Sequence, residues 1–426
     1  MIKQIAESIL PESFLSAYHF VLAHLAAVRY GFPSRKLLMV GVTGTKGKSS
    51  VTEMLNAILE EAGHTTALLN SIRFKIGDES ERNLTRMSMP GRFFIQRFMH
   101  QALTAGCTAV ILEMTSEGAR QHRQRAIDLD ALVFTNLAPE HIERHGSYEA
   151  YAKAKFEIGK QLVRSRKRPR IIVTNKDDEH GRQYLSLTVE KRIGFSLDEH
   201  KPFEANEKGG SLIFIGKKLT THLPGEFSLQ NVLAAASVAE ALGIDLDTIS
   251  AALAKIKKIP GRAESIEEGQ PFTVVVDYAH TPDSLQALYA AYGNSRKICI
   301  LGNTGGGRDT WKRPIMGKIA DEHCAEVILT NEDPYDEDPR AIVEAMAKGC
   351  VRKPDIVIDR REAIREALKR AKASDTVLIT GKGTDPNICV ERGKKIPWSD
   401  AEVVREELRA LKNTFVPNPQ EAANRL

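Results

Sequence analysis

The sequence lacks the features of several protein classes. Its 426 residues include five cysteines and no C-x-x-C pair, so we expect neither a zinc ribbon nor a disulfide framework, and a reducing cytoplasm fits best. The most apolar stretch, Phe20 to Val28, is too short to span a bilayer. Glu7, Pro11 and Glu12 interrupt the region that a signal peptide would need. We therefore expect a soluble intracellular protein.

A large excess of one charge is also lacking. Lys and Arg total 60 and Asp and Glu total 55, which leaves a net charge of +5 spread over both signs. This mild excess suits anionic small molecules, and no basic stretch studded with aromatic residues indicates nucleic acid. With 42% hydrophobic and 27% charged residues the composition is globular. A chain of this length is expected to form two or three domains.

One helix is predicted near the start of the chain, from Ser13 to Tyr30. Leu15, Tyr18 and Leu22 recur there at helical spacing, and Gly31 ends the pattern. We expect this helix to pack on the domain that follows. The alternative is that it provides a binding surface for a lipid-linked substrate.

From Leu37 onward, short apolar runs alternate with helical stretches, which predicts an α/β fold with a mostly parallel sheet and helices on both faces. After Pro260 a second alternation begins, which predicts a Rossmann-like C-terminal α/β domain. The expected organisation is a short N-terminal helical segment (1–36), a central domain (37–262) and a C-terminal domain (263–426). The strand candidates are Leu37–Val42, Thr108–Leu112, Ala131–Phe134, Ile171–Thr174, Thr273–Val276, Ile298–Leu301, Val327–Thr330, Ile356–Ile358 and Thr376–Ile379, and further helix candidates are Ser49–Ala62, Leu233–Leu242 and Ile249–Ile256.

A glycine-rich loop joins the first of these strands to a helix. Its glycines let backbone N–H groups turn toward phosphate oxygens at the positive end of the helix. Lys48 would reach the β- and γ-phosphates, and the Ser49 hydroxyl would bind Mg²⁺. The spacing departs from G-x-x-x-x-G-K-[ST], because Val occupies position 42 and the glycine falls at 41, but the placement still predicts a P-loop ATPase-type central domain. The residues expected to bind the nucleotide here are Gly44, Thr45, Lys46, Gly47, Lys48, Ser49 and Ser50.

Acidic and imidazole groups follow the next two strands. Glu113 ends an apolar run at the carboxyl edge where α/β sheets bind ligands, so its carboxylate could hold the Mg²⁺ of the nucleotide; Thr115 and Ser116 come next. His141 follows the next run and predicts a second cation site, although Mg²⁺ rarely takes imidazole. Lys155 lies on a predicted helix, where a lysine is exposed by default.

Together these motifs resemble those of the Mur ligase family, the ATP-dependent amide ligases of cell-wall peptide assembly and their folylpolyglutamate and cyanophycin relatives. Gly44–Ser49 resembles the family phosphate loop. Leu112–Ser116 and Gln121-His-Arg resemble the segment with the Mg²⁺ glutamate, and Thr135-Asn-Leu to His141 resembles the segment with the second-ion histidine. The resemblance covers residues 37 to 410 and is closest to the MurE type, which adds the third amino acid to UDP-N-acetylmuramoyl-dipeptide.

The resemblance implies roles for single residues. Lys155 falls on the lysine that the family carbamylates, which would turn a cation into an oxygen ligand. The acceptor carboxylate would attack ATP to form an acyl phosphate, which the amine of an amino acid then converts to an amide as the two domains close. The implied catalytic residues are Lys48, Glu113, His141 and Lys155; the implied ligands of two Mg²⁺ ions are Ser49, Glu113, His141 and Lys155.

Further implied contacts come from the C-terminal half. Three of its segments resemble motifs of the family's C-terminal, amino-acid-binding domain: Asp277-Tyr-Ala-His280, Gly302 to Asp309 and Gly381-Lys-Gly-Thr-Asp385. Residues implied to contact the nucleotide or the intermediate are Asn231, Arg262, Asp277, His280 and Arg308; those implied to bind the acceptor or the amino acid are Thr115, Ser116, Arg123, Asp333, Tyr335, Gly381 and Asp385.

Two departures from the MurE type leave the substrates open. Residues 1–36 stand where that type carries a UDP-binding domain, so the acceptor is a UDP-N-acetylmuramoyl-peptide, a related or lipid-linked precursor, or another carboxylate. Glu332-Asp333-Pro-Tyr335 replaces the Asp-Asn-Pro-Arg that reads diaminopimelate, so the amino acid is also open. The alternatives are a polyamino-acid or polyglutamate ligase and a non-ligating P-loop protein. The oligomeric state is left undecided.

Overall fold

The computed structural model describes residues 12–140, 142–293 and 295–415. The chain divides into two compact units. The N-terminal unit comprises the residues up to Ala205, Gly209–His222 and Glu226–Lys257; the C-terminal unit comprises Asn206–Lys208, Leu223–Gly225 and the residues from Lys258 onward. No described helix is long and apolar enough to cross a membrane.

The N-terminal unit is built on an eight-stranded sheet in the order β4-β3-β2-β5-β1-β6-β7-β8. The β3 and β4 strands pair antiparallel at one edge, and the other pairings are parallel. The central strands are covered on both faces, so they read as continuous apolar runs rather than as alternating patterns. The strands are β1 Leu38–Thr43, β2 Thr66–Leu69, β3 Arg73–Ile76, β4 Glu79–Arg82, β5 Ala109–Glu113, β6 Ala131–Phe134, β7 Ile171–Asn175 and β8 Lys191–Phe195.

Helices cover this sheet, and a small antiparallel sheet follows it. The small sheet contains β9 Glu204–Asn206, β10 Gly209–Phe214 and β11 Lys217–Thr221. The core packs the inward faces of the sheet strands against apolar helix positions such as Ile95 and Ile158. The helices of the unit are α1 Glu12–Arg29, α2 Lys48–Glu61, α3 Arg92–Thr104, α4 Ser116–Arg120, α5 Ile142–His145, α6 Tyr148–Arg164, α7 Glu179–Leu185, α8 Glu226–Ala241 and α9 Leu246–Lys255.

The C-terminal unit contains a six-stranded sheet in the order β12-β13-β17-β14-β15-β16, parallel except for the short β12. Its core is formed by strand residues such as Val274 and Ile300 packed against helix residues such as Ile364. The elements are β12 Glu264–Ser265, β13 Thr273–Val276, α10 Pro282–Ala291, β14 Lys297–Leu301, α11 Lys312–His323, β15 Glu326–Leu329, α12 Pro339–Ala347, β16 Asp355–Ile356, α13 Arg360–Arg370, β17 Thr376–Ile379, β18 Asn387–Cys389, β19 Lys395–Pro397 and α14 Asp400–Phe415.

The α/β class and the two parallel sheets confirm the sequence prediction, and one expectation about cysteine is wrong. Cys299 on β14 and Cys324 at the end of α11 form a disulfide. The two residues are 25 positions apart in the sequence. The parallel pairing of β14 with β15, which begins two residues after Cys324, brings them together, so no local spacing could signal the pair.

Candidate nucleotide and substrate sites

The glycine-rich loop runs from the end of β1 to the start of α2, and two of its glycines are required by geometry. Gly44 has φ of +147° and Gly47 has φ of +80°, a region that other residues rarely adopt. A Cβ at Gly44 would lie 1.9 Å from Thr135 Oγ1, and one at Gly47 would lie 2.3 Å from Asn231 Oδ1. The structure therefore places Asn231, on α8, directly against the loop.

The loop is held by the segment that follows β6. Asn136 accepts hydrogen bonds from the backbone N–H of Thr45 (2.8 Å, to its carbonyl) and of Lys46 (2.9 Å, to its side chain). Thr135 Oγ1 donates to the Lys46 carbonyl at 2.6 Å. Lys48 Nζ folds back to donate to the Thr45 carbonyl at 2.8 Å. The loop is thus preformed, with its lysine at the start of α2.

Ser49 and Glu113 meet, as the sequence predicted from the loop and the strand end. Ser49 Oγ donates to Glu113 Oε2 at 2.9 Å, and Ser88 Oγ donates to Glu113 Oε1 at 2.8 Å. The carboxylate also accepts from the Ser71 N–H at 2.9 Å. These are hard oxygen ligands of the kind that Mg²⁺ prefers. The described residues contain no group of three or more His, Cys, Asp or Glu side chains that could hold a metal, so phosphate oxygens and water would complete the coordination.

Lys155 is buried, against the default expectation for a lysine on a helix, because α6 turns it under the loop. Its side chain is 2% exposed, and its Nζ donates to the Gly44 carbonyl at 2.5 Å. Burial, and then the Lys48 charge, hold the pKa of this amine well below its usual value, against the opposing effect of Glu140 and Glu113. A lysine with a strongly lowered pKa is a nucleophile of the type that adds to CO₂.

Two residues near Lys155 were not singled out from the sequence. Tyr151 lies one helical turn earlier on α6, and its hydroxyl bonds to Thr45 Oγ1 at 2.9 Å; burial raises its pKa. Glu140 is buried and acts electrostatically on both Tyr151 and Lys155. The i, i+4 spacing of Tyr151 and Lys155 was the signal that could have found the tyrosine. His141 lies outside the described residues.

The residues expected to contact the acceptor lie around α4. Thr115 is the N-cap of α4 and accepts from the Gly118 N–H at 3.2 Å, so it has a structural role of its own. Ser116 Oγ bonds to His145 Nε2 at 3.2 Å. Arg123 Nη2 donates to Gln121 Oε1 at 2.8 Å.

In the C-terminal unit, Asp277 follows β13 and organises the first polar cluster. Its carboxylate accepts from the N–H groups of Ala263 and Ala279, each at 2.6 Å, and burial raises its pKa. The Arg262 guanidinium lies 4.7 Å from the ring centroid of Tyr278, and His280 Nδ1 bonds to the Tyr278 carbonyl at 2.8 Å. Arg262, Asp277 and His280 are therefore neighbours.

A second cluster joins the ends of β15 and β17. Lys382 is fully buried, and its Nζ donates to Asp333 Oδ1 at 2.9 Å and to Asp385 Oδ2 at 3.4 Å. Because parallel strands end at one edge of a sheet, residues distant in the sequence meet there. Lys382 was quoted in a motif but not assigned a role; Asp385, three residues later, was the available signal.

Arg308 lies beside Tyr335, the residue that replaces the motif arginine. The Arg308 guanidinium lies 4.6 Å from the ring centroid of Tyr335, at a distance typical of cation–π contacts. Glu332 is 4% exposed; its Oε1 accepts from Thr304 Oγ1 at 2.8 Å, and its buried Oε2 has no hydrogen-bond partner among the described residues. A Cβ at Gly381 would lie 2.7 Å from that Oε2. Glu332, like Lys382, was quoted in a motif but not assigned a role.

These features define a phosphate-loop α/β protein with a second, Rossmann-like α/β unit. Residues 42–239 match the Mur ligase middle domain, and residues 261–383 match the Mur ligase glutamate ligase domain. The chain belongs to the Mur ligase family, whose members are ATP-dependent ligases.

The relatives are consistent over most of the chain. It is 35% identical over 391 residues to UDP-N-acetylmuramoyl-L-alanyl-D-glutamate–2,6-diaminopimelate ligase of Geobacillus kaustophilus, covering 88% of this chain and 79% of the relative. It is 35% identical over 423 residues to UDP-N-acetylmuramyl-tripeptide synthetase of Roseiflexus sp., covering 92% and 82%.

Solved structures show the same architecture. A diaminopimelate ligase of the same name matches with a TM-score of 0.60 at 27% identity, covering 88% of this chain and 79% of that one. Folylpolyglutamate synthase of Mycobacterium tuberculosis matches with a TM-score of 0.70 at 17% identity, covering 86% and 93%. At that identity the second match shows the fold alone.

Proposed function

We propose that the chain joins an amino acid to a UDP-N-acetylmuramoyl-dipeptide in an ATP-dependent reaction of cell-wall peptide assembly. The names of its relatives support this acceptor. The observation that carries the chemistry is the buried Lys155 amine against the loop carbonyl of Gly44, beside the Ser49–Glu113 contact. A P-loop protein that only binds nucleotide has no need for a buried amine with a lowered pKa at this place.

In the first step, an oxygen of the acceptor carboxylate attacks the γ-phosphorus of ATP, the bond to the β-phosphate oxygen breaks, and ADP leaves. The loop and the Lys48 ammonium stabilise the charge that develops on the transferring group. Ser49 and Glu113 would hold Mg²⁺, which when bound neutralises phosphate charge. We further propose that a carbamate on Lys155, together with His141, provides ligands for a second ion.

In the second step, the amine nitrogen of the amino acid attacks the acyl carbon, the bond from that carbon to the phosphate oxygen breaks, and inorganic phosphate leaves. We assign the amino acid to the C-terminal unit, at Asp333, Tyr335, Gly381 and Asp385. Arg308, stacked on Tyr335, would supply the guanidinium that the motif itself lacks. We assign contacts with the nucleotide or the intermediate to Asn231, Arg262, Asp277 and His280. We place the reaction in the cytoplasm.

The test is to incubate the purified protein with ATP, Mg²⁺, UDP-N-acetylmuramoyl-L-Ala-D-Glu and a pool of amino acids, and to identify products by mass spectrometry. A tripeptide product supports the proposal and identifies the amino acid. Phosphate release that requires another carboxylate acceptor would indicate a different amide ligase. ATP hydrolysis that is indifferent to any amine would contradict ligation.

The Lys155 carbamate has its own test. We expect Lys155→Ala to abolish turnover and small carboxylic acids to restore part of it, because they would supply the missing oxygen ligand. Lys153→Ala, at an exposed position of the same helix, is the control and should retain activity. Normal turnover by Lys155→Ala would refute the carbamate.

A further inference from the structure

Two arginines of the N-terminal unit lie together without a carboxylate as hydrogen-bond partner among the described residues. Arg92 Nη2 contacts His19 Nδ1 at 2.8 Å and donates to the Gln121 carbonyl at 2.9 Å. Arg123 donates to Gln121 Oε1 and to the Met89 carbonyl. None of these partners is a carboxylate. The Nε atoms of both guanidinium groups are buried and have no hydrogen-bond partner among the described residues.

Three other half-buried or buried arginines of this protein each have a close carboxylate partner. Arg73 pairs with Glu53 at 2.6 Å, Arg170 with Glu190 at 2.7 Å and Arg360 with Asp400 at 2.7 Å, and the pKa of each arginine is raised.

The pKa values of Arg92 and Arg123 are instead lowered. Burial is the main cause of both shifts. The charge of Arg123 lowers the pKa of Arg92 further, whereas the charge of Glu117 opposes the lowering of the Arg123 pKa. The folded protein therefore holds two adjacent guanidinium groups whose desolvation outweighs the opposing effect of Glu117 on Arg123.

The placement of Arg92 adds to this cost. It is the first residue of the thirteen-residue helix α3, where the helix dipole favours anions and disfavours a cation. Nearby His122 also has a lowered pKa, first through burial and then through Arg125 and other arginines that include Arg92. An anionic ligand would be attracted by both guanidinium groups and by the end of the helix.

The pair is connected to the phosphate-loop site through a short segment. Ser88 bonds to Glu113, the next residue contributes its carbonyl to Arg123, and Arg92 follows four residues after Ser88. Four residues span at most about 14 Å. An extended acceptor whose carboxylate reacts at the loop could therefore place a second anionic group at the arginines.

We propose that Arg92 and Arg123 form an anion site that binds a phosphate or a carboxylate of the acceptor, remote from the carboxylate that reacts. Arg123 was expected to contact the acceptor; the role of Arg92, supported by His19 on α1, is new. The identity of the acceptor rests on the proposed function, whereas the preference for an oxyanion rests on the two arginines. Diphosphate and carboxylate are the two sources that the experiment must distinguish.

The kinetic test uses Arg92→Ala and Arg123→Ala, with Arg97→Ala as the control because Arg97 is exposed on the same helix. We expect each site variant to raise KM for UDP-N-acetylmuramoyl-L-Ala-D-Glu by about ten- to 100-fold, as for the loss of a charged hydrogen bond. The KM values for ATP and the amino acid, and the activity of Arg97→Ala, should change less than about twofold. The same assay with an acceptor that lacks UDP identifies which anionic group binds. If Arg92→Ala no longer raises KM for this acceptor, the group is the diphosphate; if it still raises KM, the group is a carboxylate.

A binding test separates this proposal from the proposed function. With ADP and Mg²⁺ saturating the loop, pyrophosphate or glutarate should raise the thermal midpoint of the wild-type protein and of Arg97→Ala, but not of Arg92→Ala or Arg123→Ala. Without ligand, Arg92→Ala should be at least as stable as the wild type, because it removes a like-charge contact. If the wild type gives no product but shows this selective stabilisation, the anion site is supported and the proposed acceptor is refuted. Equal stabilisation of all four proteins together with unchanged KM values would overturn the anion site, and a site variant that only loses stability would show that the arginine is structural.

Discussion

Replacing Lys155 with Met should remove a pH dependence of stability that the wild type has. Burial lowers the pKa of this amine in the folded N-terminal unit well below the usual 10.5, whereas the unfolded chain binds the proton up to about pH 10.5. Between the lowered folded-state pKa and 10.5 the unfolded state therefore carries one proton more. The free energy of unfolding rises with pH in that interval, by about 1.4 kcal/mol per pH unit.

The comparison of the two proteins isolates this one proton. At pH values below the interval the wild type carries the whole cost of the buried charge, so Lys155→Met should be the more stable protein. The advantage of the variant should shrink by about 1.4 kcal/mol per pH unit as the pH rises and vanish above 10.5, where the amine is neutral in both states. With an m-value of about 3 kcal/mol per M in urea, this corresponds to a change in midpoint of about 0.5 M per pH unit.

The assay is urea unfolding in CO₂-free buffers from pH 6 to 11, followed by far-UV circular dichroism. Both tryptophans, Trp311 and Trp398, lie in the C-terminal unit, so their fluorescence follows that unit separately. Lys153→Met, at an exposed position of α6, is the matched control and should give the wild-type profile. Parallel profiles for the wild type and Lys155→Met would refute the claim that this amine is buried and depleted of its proton.

Two further substitutions test other parts of the structure. Gly47→Ala should lower the free energy of unfolding by about 1–3 kcal/mol because of the positive φ at this position. It should also abolish ATP binding in calorimetry, because the new Cβ displaces Asn231. The control Gly63→Ala, with φ of +87° and open space around it, should lose stability but keep ATP binding. Arg360→Met should lower the free energy of unfolding by about 3–5 kcal/mol, because Asp400 is left buried without its ion-pair partner. The fluorescence of Trp398, whose Nε1 donates to Asp400, should report the lower urea midpoint. The same midpoint as in the wild type would contradict this. Arg361→Met, which breaks the pairs of the partly exposed Arg361 with Glu406 and Glu407, is the control. It should cost less than about 1 kcal/mol, because Glu407 keeps its pair with Arg365.

The central sheets could be predicted because their strands are buried on both faces. The observed β6, β13 and β17 have the predicted bounds, and the observed β1 and β5 differ from them by one residue at each end. The edge strand β4 was missed because all four of its residues, Glu79–Arg82, are exposed and polar, so no apolar pattern marks it. The phosphate loop and Glu113 were predictable for a related reason: each directly follows or ends a recognisable strand.

The parts of the site that the sequence did not reveal depend on contacts between distant segments. Nothing near Lys155 in the sequence shows that α6 buries it beneath Gly44. The proximity of Arg92 to Arg123 depends on the packing of α3 beside the turn after α4, and the burial of Glu332 depends on the end of β17. Periodicity identifies which face of an element is buried, but it does not identify which polar groups share a buried space.

The buried charges of the chain suggest how folding and ligand binding are connected. Arg360 is matched by Asp400, a pair that gains nothing from a ligand. Lys155, Arg92 and Arg123 form no such ion pair among the described residues, and the pKa of each is lowered mainly by burial. A group in this state is costly in the free protein, and that cost is recovered when an anion or a carbamate neutralises the charge. We therefore expect nucleotide, CO₂ and acceptor to stabilise the N-terminal unit far more than the C-terminal unit. Each ligand should raise the stability of that unit as it neutralises one of these groups.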